Sequence, residues 1–276
     1  MKRLVAAGRE TCAYTGGTPF DASRPAVVLL HGALNDHSVW SLPARYLAHH
    51  GWAVLALDQP GHGQSPGPAL ASVEALADWT VACLASAGVE RAALVGHSLG
   101  SLVALETAAR LGERATALVL VATAFPMAVP AELLRLAEEA PLRAIDRVNA
   151  TAHSTLAAWL PAPGPGTWLH GAGRALMRRQ QAAYAEAGHG NLFRHDFAVC
   201  DAYRGAPAAA TQVRCTAHLV IGAKDRMTLP ASAFALGETL HATATTLPCG
   251  HAVMQEAPEA LLDALLVALR SAADGR

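Results

Sequence analysis

The 276-residue chain is 52% hydrophobic and 16% charged, which excludes a disordered protein and suits one large α/β domain with an insertion. Its 21 basic and 22 acidic side chains leave a net charge of −1, without the basic excess of an electrostatic nucleic-acid binder. The five cysteines, Cys12, Cys83, Cys200, Cys215 and Cys249, are scattered and form no C-x-x-C, which argues against a disulfide framework or a zinc ribbon.

No segment reaches the roughly 18 apolar residues of a membrane span, and the Met-Lys-Arg start lacks a cleavable signal. A soluble, cytoplasmic protein without a membrane partner is expected. The 13 histidines include no H-E-x-x-H pair, so neither metal nor cofactor is expected.

In chain order, Leu4-Val5 and the stretch from Cys12 to Tyr14 are candidate antiparallel strands. The runs 26–30, 53–57, 92–95, 118–121 and 219–221 are apolar, too short for helices and rich in Val and Leu, as buried strands are. Between them, Val73, Leu76, Ala77, Thr80, Val81 and Leu84 follow helical spacing. Leu261, Leu262, Leu265 and Leu269 do the same behind Pro258, a residue suited to a first helical turn. Strands alternating with helices predict a mostly parallel sheet covered on both faces. The rhythm breaks between about Phe125 and Arg214, where helical patterns surround the Pro161-Ala-Pro163-Gly-Pro165-Gly loop. The expected organisation is a core of residues 1–124 and 214–276 with a helical lid at 125–213.

The chemistry sits at Gly96-His97-Ser98-Leu99-Gly100, where a strand run ends and a helical pattern begins. A serine on so sharp a turn projects its hydroxyl from the end of the sheet, beside the positive end of a helix. The pentapeptide alone is weak: at ~7% usage each of Gly and Ser, a chain of this length shows one by chance about one time in ten. Gly63-Gln64-Ser65-Pro66-Gly67 matches it too. That copy follows a loop, and Pro66 lacks the backbone N–H that the residue after a nucleophile must offer an oxyanion. Ser65 is therefore expected to be a loop serine and Ser98 the nucleophile.

A serine nucleophile needs a base, and the base needs an orienting carboxylate. Asp225 and His251 each stand just past a strand run, where open α/β sheets build their sites. His241 is the rival base, and Asp196 and Asp201 in the lid are rival acids. For the oxyanion, Leu99 supplies one N–H. The loop His31-Gly32-Ala33, at the end of the first core strand, supplies the second through Ala33. His31 itself is expected to be structural, and Trp40 to pack the start of the next helix.

At these residues the chain resembles the α/β-hydrolase superfamily in its lidded serine-hydrolase branch. The matching motifs are His31-Gly32-Ala33, Asp58-x-x-Gly61-x-Gly63-x-Ser65, Gly96-x-Ser98-x-Gly100, Gly222-x-Lys-Asp225 and Gly250-His251 with Glu256-x-Pro258-Glu259. They cover about two thirds of the chain. The resemblance implies an α/β-hydrolase fold, a Ser98-Asp225-His251 triad, and hydrolysis of an ester or related acyl bond. It leaves open C–C bond (diketone) hydrolysis, cofactor-free haloperoxidase chemistry and, outside enzymes, a ligand receptor that keeps the triad. Ser98 stands where epoxide hydrolases and haloalkane dehalogenases of this fold have aspartate, which argues against both.

The lid holds Leu133, Leu134, Leu136, Leu142, Ile145, Leu156, Trp159, Leu160, Trp168, Leu169, Leu176 and Met177. This surface is expected to face Ser98 and to form an apolar pocket for a small acyl or aromatic substrate. Arg174, Arg178 and Arg179 are expected to be a solvated helix face, with a substrate-carboxylate clamp as the alternative.

Overall fold

The computed structural model describes residues 1–154 and 165–270, the side chains of 165–169 excepted. Eight strands form one sheet: β1 (Lys2–Ala6), β2 (Arg9–Tyr14), β3 (Ala26–Leu30), β4 (Ala53–Leu57), β5 (Ala92–His97), β6 (Ala115–Val121), β7 (Ala217–Gly222) and β8 (Thr243–Leu247). Their spatial order is β1-β2-β4-β3-β5-β6-β7-β8. The first two strands form the expected antiparallel hairpin, β2 lies antiparallel to β4, and every later pairing is parallel. This is the α/β-hydrolase fold the motifs implied.

Parallel strands need crossovers, and helices supply them. The core helices are α1 (Ser41–His49), α2 (Val73–Ala87) and α3 (Leu99–Leu111). After β6 come α4 (Ala131–Glu139), α5 (Pro141–Ala152), α6 (Pro165–Glu186), α7 (Leu192–Ala202) and α8 (Ala206–Gln212). The chain ends with α9 (Pro230–Thr239), α10 (Val253–Glu256) and α11 (Pro258–Ala268). Helix α2 shows why such segments start and stop: the Ser72 side chain accepts the Ala75 N–H, and Gly88 closes the helix at φ 74°.

Side chains alternate between the sheet's two faces. Val28, Leu30, Leu55, Leu94 and Leu118 pack against α2, α3 and α8. Val27, Leu29, Val54, Val95 and Val119 pack against α1 and α11, where Trp40 is fully buried. Because both faces are covered, these strands read as continuous apolar runs.

The helices between β6 and β7 occupy the stretch expected to be a lid, with two differences. Pro165 and Gly166 belong to α6, where a proline in the first turn loses no helical hydrogen bond; 161–164 lie outside the described residues. Helix α8 is short and alanine-rich, and it packs into the main core through Ala206, Ala209 and Ala210. Helices α4 to α7 carry their own apolar cluster, including Ile145, Val148, Leu192, Phe193 and Phe197, and Leu34 of the core reaches into it.

Candidate active site

Ser98 occupies the single residue between β5 and α3, at φ 53° and ψ −121°. A non-glycine residue there is strained, and the surrounding turn must hold it. The flanking glycines allow the close approach: a Cβ on Gly96 would fall 2.0 Å from the Gly100 carbonyl oxygen, and one on Gly100 would fall 2.3 Å from that of Leu30. The Ser98 carbonyl accepts both the Ser101 N–H and its hydroxyl. Ser65, by contrast, is 2% exposed, and its hydroxyl oxygen accepts the Cys12 N–H at 2.9 Å.

The loops after β7 and β8 bring Asp225 and His251 together. His251 Nδ1 lies 2.8 Å from Asp225 Oδ2, with both residues buried. The other carboxylate oxygen accepts the backbone N–H groups of Met227 and Thr228. Thr228 Oγ1 stands 2.6 Å from Asp225 Oδ2 and 3.0 Å from the Ala122 carbonyl oxygen. Burial alone would raise the Asp225 carboxyl, but His251 and the Thr228 donors outweigh it and bring the pKa down to about 2. An ionised Asp225 fixes the proton on His251 Nδ1 and leaves Nε2 as the basic nitrogen.

Ser98, His251, Gly32 and Ala33 line a cavity of about 330 Å³. No hydrogen bond joins the Ser98 and His251 side chains among the described residues; such contacts tighten when substrate binds. The rest of the wall is largely apolar, with Met127, Val129, Leu133, Val148, Met177 and Phe197. Arg147, Asn149, His153, Arg226 and Gln255 add polar groups.

The remaining sequence candidates fall elsewhere. His241 is exposed, at the end of α9, and is not part of the cavity wall. Asp201 accepts the Val129 N–H at 2.9 Å. Asp196 is buried beside His62, with Nε2 to Oδ2 at 2.9 Å. His31 Nε2 accepts the Gln59 N–H, so its Nδ1 carries the proton and donates to the Gly32 carbonyl at 2.9 Å. Burial, followed by the nearby charge of His62, lowers His31 to about 4, so it stays neutral and structural.

The described apolar side chains of the insertion do less at the cavity than expected. Of the seven singled out whose side chains are described, Leu133 and Met177 line it. Ile145 packs inside the insertion's own cluster, with Leu134 and Leu136 against it, and Leu142 is 47% exposed. Short amphipathic helices satisfy one another first, and that mutual packing consumes the surface. Leu156, Trp159 and Leu160 lie outside the described residues, as do the side chains of Trp168 and Leu169. Arg174 and Arg178 both bond Asp146 of α5, and Arg179 is exposed, so none of the three forms a clamp in the cavity.

Three supporting residues were given no role by sequence reasoning, although His97 and Glu256 stand in the motifs it used. Thr228 holds Asp225, and its spacing of three from an acid at a strand end is a turn signal that could have exposed it. His97 lies 3.0 Å, through Nε2, from the His251 carbonyl. Glu256 accepts the Gly250 N–H and, at 2.8 Å, the Ser154 N–H, joining the histidine loop to the end of α5. Among the described residues, Asp36, His37 and Asp58 bring possible metal-ligand atoms within 4.8 Å of one another. Their carboxylates already accept hydrogen bonds from Ser38, His37, Gln64 and Gln180, so the group ties loops together.

The comparisons agree with this architecture. The chain belongs to the alpha/beta hydrolase family, whose profile matches residues 27–264. Over 85 residues it is 36% identical to a 2-succinyl-6-hydroxy-2,4-cyclohexadiene-1-carboxylate synthase of Serratia proteamaculans, covering 31% of this chain and 32% of that one. Over 78 residues it is 36% identical to an (E)-2-((N-methylformamido)methylene)succinate hydrolase of Acinetobacter baylyi, covering 28% of this chain and 29% of that one. These matches span about a third of the curated relatives' length. An enol-lactonase from Burkholderia xenovorans superposes with a TM-score of 0.77 over 97% of this chain and 99% of its own, at 19% identity, a likeness of fold alone. No described helix is long and apolar enough to cross a membrane.

Proposed function

We propose that the protein is a serine hydrolase that cleaves esters, or closely related acyl bonds, of small-to-medium apolar substrates through an acyl-enzyme. The observation that carries this reading is the buried Asp225–His251 pair, facing the same cavity as a serine on a strained strand-to-helix turn.

In this reading the Ser98 hydroxyl attacks the substrate carbonyl while His251 Nε2 takes its proton. Asp225 holds the imidazole in the required tautomer and stabilises the imidazolium that forms. The developing oxyanion accepts the N–H groups of Ala33 and Leu99. Leu99 is the first residue of α3, where the N–H has no intrahelical partner. His251 then gives its proton to the leaving alcohol. A water molecule, deprotonated by His251, attacks the acyl-serine, and the carboxylic acid departs with Ser98 restored. Helices α4 to α7 act as a lid that closes the acyl pocket over Ser98.

The test is labelling with a fluorophosphonate probe, followed by peptide mapping and a panel of nitrophenyl esters. Label on the Ser98 peptide, its loss in Ser98→Ala, and multiple turnover on esters are expected. Label on Ser65, or single turnover coupled to ligand-dependent partner binding, would overturn the reading.

A further inference from the structure

The loop that carries Ala33 is a tight turn. The Asn35 N–H donates to the Gly32 carbonyl at 3.2 Å, and Leu34, at the third position, has φ 57°. Ala33 is not at positive φ, so the turn is of type II, the form that favours glycine where this chain has leucine. The competing type I turn differs by reversal of the peptide between Ala33 and Leu34, and it suits leucine better. Something must keep the disfavoured form.

Helix α7 supplies it. Asp196 Oδ2 accepts the Leu34 N–H at 2.8 Å and lies 2.9 Å from His62 Nε2. Asp196 is 2% exposed and His62 is 3% exposed, so neither contact is shared with bulk water. Reversing the peptide would turn the Ala33 carbonyl oxygen toward this carboxylate and leave a buried charge short of a donor. The Leu34 side chain is fully buried in the apolar cluster of α4 to α7, which anchors the same residue a second time. Helix α6 adds a parallel tie: Gln180 accepts the Gly63 N–H at 2.9 Å and donates to Asp36 Oδ2 at 2.7 Å. Ala33 lines the cavity beside Ser98, and among the described residues its N–H has no acceptor.

We propose that Asp196 is a positioning residue for catalysis: its carboxylate, braced by the His62 imidazole, holds the Leu34 N–H and so fixes the turn that presents the Ala33 N–H to the oxyanion. The inference rests on the serine-hydrolase reading above and deepens it. The insertion then does more than cover the substrate, because the oxyanion site is complete only with α7 docked. Burial works against a charged His62, but the Asp196 carboxylate overrides it and raises the imidazole above its ordinary value.

The test compares Asp196→Ala, Asp196→Asn and Ser98→Ala on a nitrophenyl ester, with the rates of the wild type and the Asp196 variants normalised to fluorophosphonate-titrated sites and that of Ser98→Ala to protein concentration. In Asp196→Ala, kcat should fall roughly ten- to a hundredfold with KM little changed. Affinity for a boronic acid, a mimic of the tetrahedral intermediate, should fall in parallel. Asp196→Asn keeps an acceptor oxygen for Leu34 and should recover most of kcat. A second measurement needs no variant: amide NMR of the wild-type protein should show a protected Leu34 N–H, and the boronic acid should shift Ala33 and Leu99. A freely exchanging Leu34 N–H, or an Asp196→Ala enzyme with unchanged kcat and boronate affinity per titrated site, would overturn the inference. If Ser98→Ala is inactive in that case, the underlying reading stands and Asp196 alone is misassigned. If Ser98→Ala keeps its turnover, the reading and the inference fall together.

Discussion

His97 and His251 are joined across the site: His97 Nε2 lies 3.0 Å from the His251 carbonyl oxygen. Burial, then the charge of His251, lowers His97 to about 3, so its imidazole is neutral at any working pH and serves as a fixed donor. The residue before the nucleophile thereby sets the backbone of the base. Replacing it by leucine leaves the buried carbonyl without its donor, at a cost of about 1–3 kcal/mol. His97→Leu is expected to lower both Tm and kcat, while His97→Gln, which can donate to the same oxygen, should retain more of each. Equal kcat in the two variants would mean that the bond does not register His251.

Asp225 links the site to stability. Its carboxyl has a pKa of about 2 in the folded protein, against an ordinary value near 3.8. A depressed acid contributes stability that is fully present above the unfolded pKa and is lost as pH falls through the folded one. The window therefore runs from about pH 4 down to about pH 2, and the contribution is on the order of 2 kcal/mol. The difference in unfolding free energy between wild type and Asp225→Asn should shrink as pH falls from about 4 toward about 2. Turnover at pH 7 should fall in Asp225→Asn by about 10⁴-fold through loss of the correct His251 tautomer. Denaturant titrations across pH check the first outcome, and single-turnover kinetics check the second.

Much of this was legible from the chain. Buried parallel strands such as β5 and β7 are short apolar runs with a glycine at or beside their ends, and Ser98 and Asp225 follow them, whereas His251 follows the mostly exposed edge strand β8. Pro66 was enough to separate Ser65 from Ser98, because it removes a donor whatever the fold. Partnerships across the fold were not legible. Leu34 and Asp196 stand 162 positions apart, and nothing local marks a leucine at positive φ. Helical periodicity shows that Ile145 is buried but not against what. It therefore could not tell a side chain that lines the cavity from one that packs inside the insertion. The arginines lie on a partly solvated helix face as expected, but their partner was hidden for the same reason, since Asp146 lies 28 residues before Arg174 and on another helix.

Gly100 couples packing to the oxyanion site. A Cβ there would stand 2.3 Å from the Leu30 carbonyl oxygen and 2.5 Å from that of His31, both backbone atoms at the end of β3. Helix α3 would have to move away from the sheet, carrying the Leu99 N–H with it. Gly100→Ala should destabilise the protein by about 1–3 kcal/mol, the usual cost of overpacking. It should also lower kcat per folded molecule, because Leu99 and Ala33 would no longer converge. Gly171→Ala is the control: among the described residues its added Cβ meets no tertiary neighbour within 4 Å, so kcat should hold and Tm should hold or rise.

Acyl-chain selectivity follows from the cavity. Its volume of about 330 Å³ is bounded on the insertion side by Leu133, Met177 and Phe197 and on the core side by Met127. A methylene that enters it leaves water for an apolar wall, worth up to about 0.8 kcal/mol, or about fourfold in kcat/KM. Across straight-chain nitrophenyl esters, kcat/KM should rise by such steps, reach a maximum at an intermediate length, and fall once the chain outgrows the space. Met177→Ala removes wall and should move the maximum to longer chains, whereas Leu133→Trp fills space and should move it to shorter ones. Neither residue contacts Asp225 or His251 through the hydrogen bonds described, so kcat on the shortest ester should be nearly constant across the three proteins. A maximum that stays put in both variants, or a steady decline from acetate onward in the wild type, would show that the insertion does not form the acyl pocket.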